Sequence, residues 1–289
     1  MPTFEQAADR VIAFRVKSWK PGSRTEAIWR ARLAKYVYPR IGKMPVSDIS
    51  TADVLSVLSP IWEKRETAQK VQQYVNAVMK WAVAHGYRST NPAGEVVSAV
   101  LPQTPSLREH FRALPYAEVS SALKTIRDSE AYEVTKLAIE FLALTASRSG
   151  EVRGATWDEI DGDVWTIPSS RMKSGREHRV PLCDHAIEVL KNAIEYADDS
   201  QLLFPSARGK QLSDNTLSKL FRELQIGGTP HGLRSSFRDW AAECTQYPRE
   251  ICEFALAHVE GSAAELAYRR TDYFESRRGL MQQWADFVE

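Results

Sequence analysis

The sequence predicts a mainly α-helical protein with one small β-hairpin, an α+β chain built as two domains. Apolar residues recur at helical spacing through the first ninety positions. A segment rich in proline and glycine then interrupts this periodicity. Beyond it, residues 164–167 and 178–182 have the composition of short strands. We therefore expect a helical domain at 1–92, a linker at 93–111 and a second domain at 112–289.

Helices account for the whole predicted first domain. Thr3 and Thr51 are suited to cap two of its four helices, because a hydroxyl oxygen accepts a hydrogen bond from the first turn. The last helix is expected from about Glu66 to His85, with Gly86 as its stop. Its apolar positions form one stripe, which predicts a modest core. The stripe consists of Val71, Val75, Val78, Met79 and Ala82.

The second domain is predicted to be helical on both sides of the hairpin. Pro115 suits the first turn of a helix, and a longer apolar helix follows at about 132–145. Lys173 lies at the tip of the hairpin, next to a glycine. Further helices are expected at about 184–197, 213–225, 231–244, 249–257, 261–270 and 275–287.

Composition is that of a soluble globular protein, with 43% apolar and 26% charged residues among 289. No apolar run approaches the ~20 residues that cross a bilayer, and no signal peptide opens the chain. The three cysteines lack the spacing of metal ligands and are expected to be reduced thiols. We therefore expect a cytoplasmic protein with no membrane, metal or cofactor.

Charge is unevenly distributed, although the net charge is only +1. Residues 1–92 hold 15 Lys and Arg against 7 Asp and Glu, whereas the remainder holds 23 against 30. A basic segment of this kind is typical of a surface that lies along a phosphate backbone. A solvated helical surface explains the same charge equally well. Lys70, Gln73 and Lys80 are the exposed candidates for base contacts in this domain.

Several cationic side chains are candidates for chemistry in the second domain. His231 and Arg234 stand at a predicted helix start and would share one face. Arg148 follows a strongly apolar helix, and Glu151 is a carboxylate that could hold its guanidinium group. Lys173 lies on the basic hairpin tip. The ordinary alternatives are a surface ion pair or capping histidine, a locally paired arginine and a solvated basic turn.

Two further residues gain meaning only beside these four donors. His258 ends an apolar helix, where a core histidine bonded to a carbonyl is the commoner case. Tyr268 is one of ten tyrosines, most of which serve packing. Together, the five donors and the phenol suit the attack of a tyrosine on a DNA phosphodiester. Cleavage of this anion requires positive groups that neutralise the charge building on its non-bridging oxygens.

Taken in order, these segments resemble the tyrosine recombinases of phages and mobile elements over nearly the whole chain. The motif sequences are most similar to those of prophage and genomic-island integrases. We expect the chain to lack the N-terminal arm-binding domain that these integrases usually have. Ala146 stands where the family usually has glycine, a departure expected to cost little. Five motifs of the family are matched. Residues 145–151 match the first-arginine motif, residues 171–182 the hairpin lysine motif and residues 231–234 the His-x-x-Arg box. Residues 256–258 match the histidine that follows, and residues 267–270 match the nucleophile.

The resemblance implies a clamp around duplex DNA, formed by a SAM-like core-binding domain and a catalytic domain. Tyr268 would attack the scissile phosphate and remain joined to its 3′ side. Lys173 would protonate the departing 5′ oxygen, and Glu151 would support the first arginine. Protein cations would replace a metal. The charge that develops on the phosphate would be held by Arg148, His231, Arg234 and His258.

The resemblance also implies double-stranded DNA and other copies of the chain as partners. A homo-tetramer would form on two synapsed sites, from a protein that is a monomer or weak oligomer when free, and an accessory directionality factor is left open. The final helix would pack on a neighbouring subunit; if it packs on its own core, assembly depends more on DNA. Two other functions stay open, a type IB topoisomerase that relaxes DNA and a DNA-binding remnant that does not cut. The apolar face of that helix consists of Phe274, Leu280, Met281, Trp284 and Phe287.

Overall fold

The structure is a computed structural model that describes residues 1–20, 22–100, 113–258 and 271–289. The chain divides into two compact units, residues 1–107 and residues 108–289. Each unit buries a hydrophobic core of its own. Within the described residues, no helix combines the length and the apolarity needed to cross a bilayer.

The first unit is built from helices that pack around its core. The predicted last helix is the longest of those described there, and its apolar stripe is buried. A π-helical turn at Leu33–Val37 separates the second and third helices. A short helix within the predicted linker places Val97 in this core. The helices are α1 (Phe4–Val16), α2 (Thr25–Arg32), α3 (Tyr38–Ile41), α4 (Thr51–Leu58), α5 (Arg65–Ala84) and α6 (Glu95–Val100).

The helix caps of this unit are set by short polar motifs. Thr3 caps α1 as predicted, and the Gln6 side chain accepts a hydrogen bond from the Thr3 amide in return. At α4 the prediction of Thr51 was wrong by one residue, because Ser50 and Asp53 form the reciprocal pair that fixes the helix start. A complete capping box satisfies two free amides at once, which a lone threonine does not.

The second unit is organised around helix α8, whose residues are buried on nearly all sides. Its Phe141 ring lies 5.2 Å from the ring of Trp165 and 5.5 Å from that of Phe204, measured between centroids. Pro115 precedes a short 3-10 turn that leads into α7. The helices are α7 (Val119–Arg127), α8 (Glu133–Thr145), α9 (Ser149–Arg153), α10 (Asp184–Ala193), α11 (Thr216–Glu223), α12 (Leu233–Cys244), α13 (Arg249–Ala255) and α14 (Phe274–Val288).

The predicted hairpin is present and belongs to a three-stranded antiparallel sheet of order β1-β2-β3. The added strand β1 (Ile160–Asp161) was not predicted, because two residues are too short to show an alternating pattern. Strand β2 (Val164–Ile167) turns Trp165 and Ile167 into the core. It pairs with β3 (His178–Pro181), so that His178 lies opposite Ile167.

The last helix, α14, packs on the core of its own unit, which is the second of the two arrangements left open for it. Leu280, Met281 and Trp284 are buried in the core of the second unit. The indole nitrogen of Trp284 donates a hydrogen bond to the carbonyl of Ala143 at 2.8 Å. Helical spacing identified the apolar face correctly, but spacing alone does not say which chain covers that face.

Candidate active site

Arg148 lies at the start of α9, where a buried carboxylate fixes its guanidinium group. Glu151 accepts hydrogen bonds from the backbone amide of Arg148 and from its Nη1, each at 2.8 Å. The Glu151 side chain is 5% exposed and that of Arg148 is 24% exposed. Part of the Arg148 guanidinium group is therefore held by Glu151, while another part faces solvent. The predicted supporting contact between these two residues is present in the structure.

Arg234 is buried on the first turn of α12 and is bound by two backbone carbonyls. Its Nη1 donates to the carbonyl of Ala146, and its Nη2 donates to that of Leu256 at 2.6 Å. Burial, and next the nearby Arg148 guanidinium, lower the pKa of Arg234 to about 10. Burial and the neighbouring arginine thus disfavour the charged form of Arg234, and a bound anion would offset both effects.

The carbonyl of Ala146 is presented by an unusual backbone conformation. Ala146 ends α8 in the left-handed region, with φ 47° and ψ 29°. This conformation costs a non-glycine residue roughly 1–2 kcal/mol. The expectation that alanine in place of glycine costs little therefore overlooked the backbone that this position requires.

His258 contacts Arg234 directly and is held by a second buried carboxylate. Its Nε2 lies 3.1 Å from Nη2 of Arg234, and its Nδ1 lies 2.7 Å from Oε2 of Glu253. The other Glu253 oxygen accepts a hydrogen bond from Nε of Arg238 at 2.7 Å. Although burial raises it, these two hydrogen bonds bring the pKa of Glu253 below its ordinary value. Glu253 is consequently an anion at neutral pH.

His231 and Lys173 belong to the same electrostatic environment. Partial burial lowers the pKa of His231, and the charges of Arg234, Arg148, His258 and Lys173 lower it further. This shift favours the neutral form of the His231 ring beside the two arginines. Lys173 is exposed on the hairpin, and the neighbouring Met172 is buried.

The base of the hairpin is anchored beneath Lys173. Arg171 forms an ion pair with the buried Glu159 and also donates to the backbone carbonyl of Glu151. The same Glu159 accepts a hydrogen bond from the indole of Trp165 at 2.9 Å. These contacts join the hairpin to α9. The segment that leads to Lys173 is therefore fixed to the helix that begins directly after Arg148.

Two family models match the chain, and together they span most of it. Residues 4–99 match the phage integrase central domain, and residues 112–274 match the phage integrase family. The second match alone covers more than half of the chain. The chain belongs to the phage integrase family.

Two curated relatives and one solved structure illustrate how far this similarity extends. The integrase of enterobacteria phage P4 is 29% identical over 94% of this chain and 66% of its own length. Prophage integrase IntA of Escherichia coli strain K12 is 31% identical over 91% and 64%. The chain thus spans just under two thirds of these relatives. A lambda integrase fragment of residues 75–356 shares the fold at a TM-score of 0.71 and 19% identity, over 90% of this chain and 96% of that one.

The structure describes all but one of the predicted site residues and brings six of them together in the second unit. Lys70, Gln73 and Lys80 lie on α5 of the first unit, where all three side chains are exposed. Tyr268 lies outside the described residues. No group of three or more potential metal ligands occurs in the parts of the chain that the structure describes. The residues that share one site are Arg148, Glu151, Lys173, His231, Arg234 and His258.

Sequence reasoning missed two members of this site. Glu253 lies five residues before His258, but its contact with Arg238 is visible only in the packing of α12 against α13. His178 was included in the hairpin motif without a role. Burial, and then the charges of Arg277, Arg234 and Arg148, lower its pKa to about 3. Its position opposite a core residue of β2 was the available signal for an inward-facing ring.

Proposed function

We propose that this integrase is a site-specific tyrosine recombinase that cuts and rejoins duplex DNA through a 3′-phosphotyrosine intermediate. The observation that carries the proposal is the cluster of Arg148, Arg234, His231 and His258. Buried carboxylates hold Arg148 and His258, and backbone carbonyls hold Arg234. Such a site suits a phosphate whose negative charge grows during cleavage.

Each member of the cluster has a role that follows from its chemistry. Arg148 and Arg234 would grip the non-bridging oxygens, because a guanidinium fork matches two oxygens and keeps its proton. His231 and His258 would donate further hydrogen bonds to the same oxygens. Lys173 would deliver a proton to the departing 5′ oxygen, so that the DNA leaves as a hydroxyl.

Tyr268 would be the nucleophile, and chain length supports its access to the site. It lies four positions before Asp272, which limits the distance between their Cα atoms to about 14 Å. Asp272 is itself bound through its carboxylate to Nη2 of Arg277 at 2.9 Å. The attack forms a bond between the phenolic oxygen and phosphorus, while the phenol loses its proton to solvent and the bond from phosphorus to the 5′ oxygen breaks. The phosphodiester energy is therefore retained for rejoining.

We propose double-stranded DNA and further copies of the chain as its partners. Lambda integrase structures are described as a dimer on a COC′ core site and as a tetramer on a Holliday junction. Two rounds of strand exchange between two sites require four nucleophiles, hence a homo-tetramer on DNA. Because α14 covers its own core, we expect the free protein to be a monomer or weak oligomer. A directionality factor would be an additional partner.

A trapping experiment tests the nucleophile. A duplex that carries the attachment sequence bordering the gene, with a nick beside the cleavage position, releases a short strand and traps the covalent adduct. Wild type and Tyr273→Phe should both form it, because the Tyr273 ring is already packed edge-on against Phe254 at 5.4 Å between centroids. Tyr268→Phe should form none, and an undiminished adduct in that variant would refute the assignment.

A plasmid experiment separates recombination from the alternatives. Supercoiled DNA without an attachment sequence should stay supercoiled after incubation with the wild-type protein. Robust relaxation of that plasmid would indicate a type IB topoisomerase instead. Tight binding to the attachment sequence, without any adduct in wild type, would identify a non-cutting DNA-binding protein.

A further inference from the structure

We infer that Glu253 is a positioning residue of this site, which orients the ring of His258 and supplies the counter-charge that lets the ring donate to a bound phosphate. This inference rests on the proposed recombinase function. It concerns a residue of α13 that reaches the phosphate only through His258, to which it lies 2.7 Å away.

The two contacts of the His258 ring determine which of its nitrogens carries the proton in this arrangement. A guanidinium group only donates hydrogen bonds, so Nε2 of His258 must be an acceptor where it lies 3.1 Å from Nη2 of Arg234. The proton of a neutral ring is then on Nδ1, from which it is donated to Oε2 of Glu253. In this arrangement, the ring therefore offers the site a lone pair rather than a donor.

Binding of a phosphate must reverse this arrangement. Nη2 of Arg234 would transfer its hydrogen bond to a phosphate oxygen, and Nε2 would take up one proton from solvent, to which the side chain is 44% exposed. The resulting imidazolium donates through Nε2 to the phosphate and through Nδ1 to Glu253. The proton count balances, because one proton enters the site and no bond to carbon changes.

A counter-charge is needed because the ring is surrounded by cations. Among the residues that the structure describes, the charged or titratable groups that face it or bind its carboxylate partner are Arg234, Arg238, Arg148, His231, Arg249 and Glu253. Glu253 is the anion in direct contact with the ring, whereas Glu151 is engaged by Arg148. A charged ring beside two arginines is strongly disfavoured unless an adjacent carboxylate compensates it.

Glu253→Gln isolates the charge, because an amide can still accept a hydrogen bond from Nδ1. We expect the rate of adduct formation on the nicked duplex, at saturating protein, to fall about 10- to 100-fold with DNA binding retained. In a His258→Ala background, the same substitution should cost less than about twofold, because its effect is transmitted by the ring. Glu250→Gln, an exposed position on the same helix, is the matched control and should cleave like wild type.

Two additional measurements separate positioning from folding. Arg238→Gln combined with Glu253→Gln keeps a neutral hydrogen-bonded pair, so the cleavage defect should persist in a protein that unfolds at the wild-type temperature. Nitrogen-15 chemical shifts of His258 in DNA-free Tyr268→Phe protein should show the proton on Nδ1, a result independent of cleavage. A proton on Nε2, unchanged cleavage by Glu253→Gln, or an undiminished defect in the His258→Ala background would overturn the inference. No adduct in wild type would instead overturn the proposed function and, with it, this role.

Discussion

At the scale of single residues, the two buried carboxylates each hold a different donor of the site. Glu151 fixes Arg148 and Glu253 fixes His258, while Arg234 is fixed by backbone carbonyls. Three of the donors that would face a phosphate are thus each held by a partner within the protein. This arrangement reduces the reorganisation needed when negative charge develops, which is the main source of catalysis in such sites.

Removal of either arginine should abolish cleavage while leaving DNA binding largely intact. Arg148→Ala and Arg234→Ala each delete a fork that would meet the non-bridging oxygens, so adduct formation should fall by at least ~10²-fold. Arg222→Ala, an exposed arginine on α11, should leave both properties unchanged. Cleavage that returns at high protein concentration would show instead that these arginines only position the DNA.

His178 should make the stability of the protein depend on pH. Its pKa is about 3 in the folded chain and 6.5 in its ordinary range, so below about pH 6.5 the unfolded chain binds a proton that the folded chain does not. Stability is therefore fully present above that pH and declines as pH falls toward 3. The loss of urea midpoint from pH 7 to pH 5 should be smaller in His178→Gln than in wild type. An identical loss would mean that another group dominates.

Ala146→Gly should stabilise the protein, because glycine adopts the left-handed backbone without a clash. The gain of roughly 1–2 kcal/mol is partly offset by the extra freedom of glycine in the unfolded chain, which leaves about 0.5–1 kcal/mol. Thermal unfolding measures this gain. Ala143→Gly, within the right-handed part of α8, should destabilise the protein and serves as the control. A lower midpoint for Ala146→Gly would contradict the strain.

At the scale of secondary-structure elements, periodicity predicted the helices and the hairpin better than their ends and partners. The stripe of α5 and the apolar run of α8 were visible, because each repeats over many residues. Strand β1 and helix α9 are too short to repeat at all. The cover of α14 could not be predicted, since an apolar face has the same spacing whether its own unit or another subunit packs on it.

The candidate site shows the same division between local and distant information. The contact between Arg148 and Glu151 was predictable, because a spacing of three positions at the start of a helix brings two side chains together. Contacts of Arg234 with Ala146 and Leu256 join segments far apart in sequence, and no local pattern encodes them. The resemblance to the family indicated which residues share the site. The packing of α12 shows which contacts bring Arg234 there.

Arg277 is the contact that ties α14 to the sheet, and its loss should destabilise the second unit. The side chain is 1% exposed and donates to the carbonyl of Asp272 at 2.8 Å and to that of Arg179 on β3 at 2.6 Å. Arg277→Met removes a buried guanidinium group and leaves these part-buried carbonyl acceptors unpaired, so we expect a loss of about 3 kcal/mol in thermal or urea unfolding.

Arg278→Met is the matched control for this change. Arg278 pairs with Asp163 at the surface, where an ion pair contributes about 1 kcal/mol or less. Arg277→Lys should recover only part of the stability, because an ammonium cannot reproduce the planar fork. Equal losses for Arg277→Met and Arg278→Met would show that burial is not what makes the contact strong.

At the scale of the whole molecule, charge is divided between the two units of the chain. The basic residues are concentrated in positions 1–92, with 15 Lys and Arg against 7 Asp and Glu. The remainder is acidic overall and yet surrounds its candidate site with arginines. We expect the first unit to supply most of the salt-dependent affinity for DNA, and the second unit to supply local charge where the chemistry takes place.

Substitutions on α5 test this division. If Lys70 and Lys80 each neutralise one phosphate, alanine at either position should weaken binding to any sequence. The slope of log affinity against log salt should fall by about 0.9 for each, between about 50 and about 200 mM salt. Gln73→Ala should leave the slope unchanged but reduce the preference for the attachment sequence, because an amide reads base edges rather than phosphates. Fluorescence anisotropy titrations measure both quantities. Lys124→Ala, an exposed lysine on α7 of the second unit, should leave the slope at its wild-type value, and an equal effect there would mean that the DNA does not follow α5.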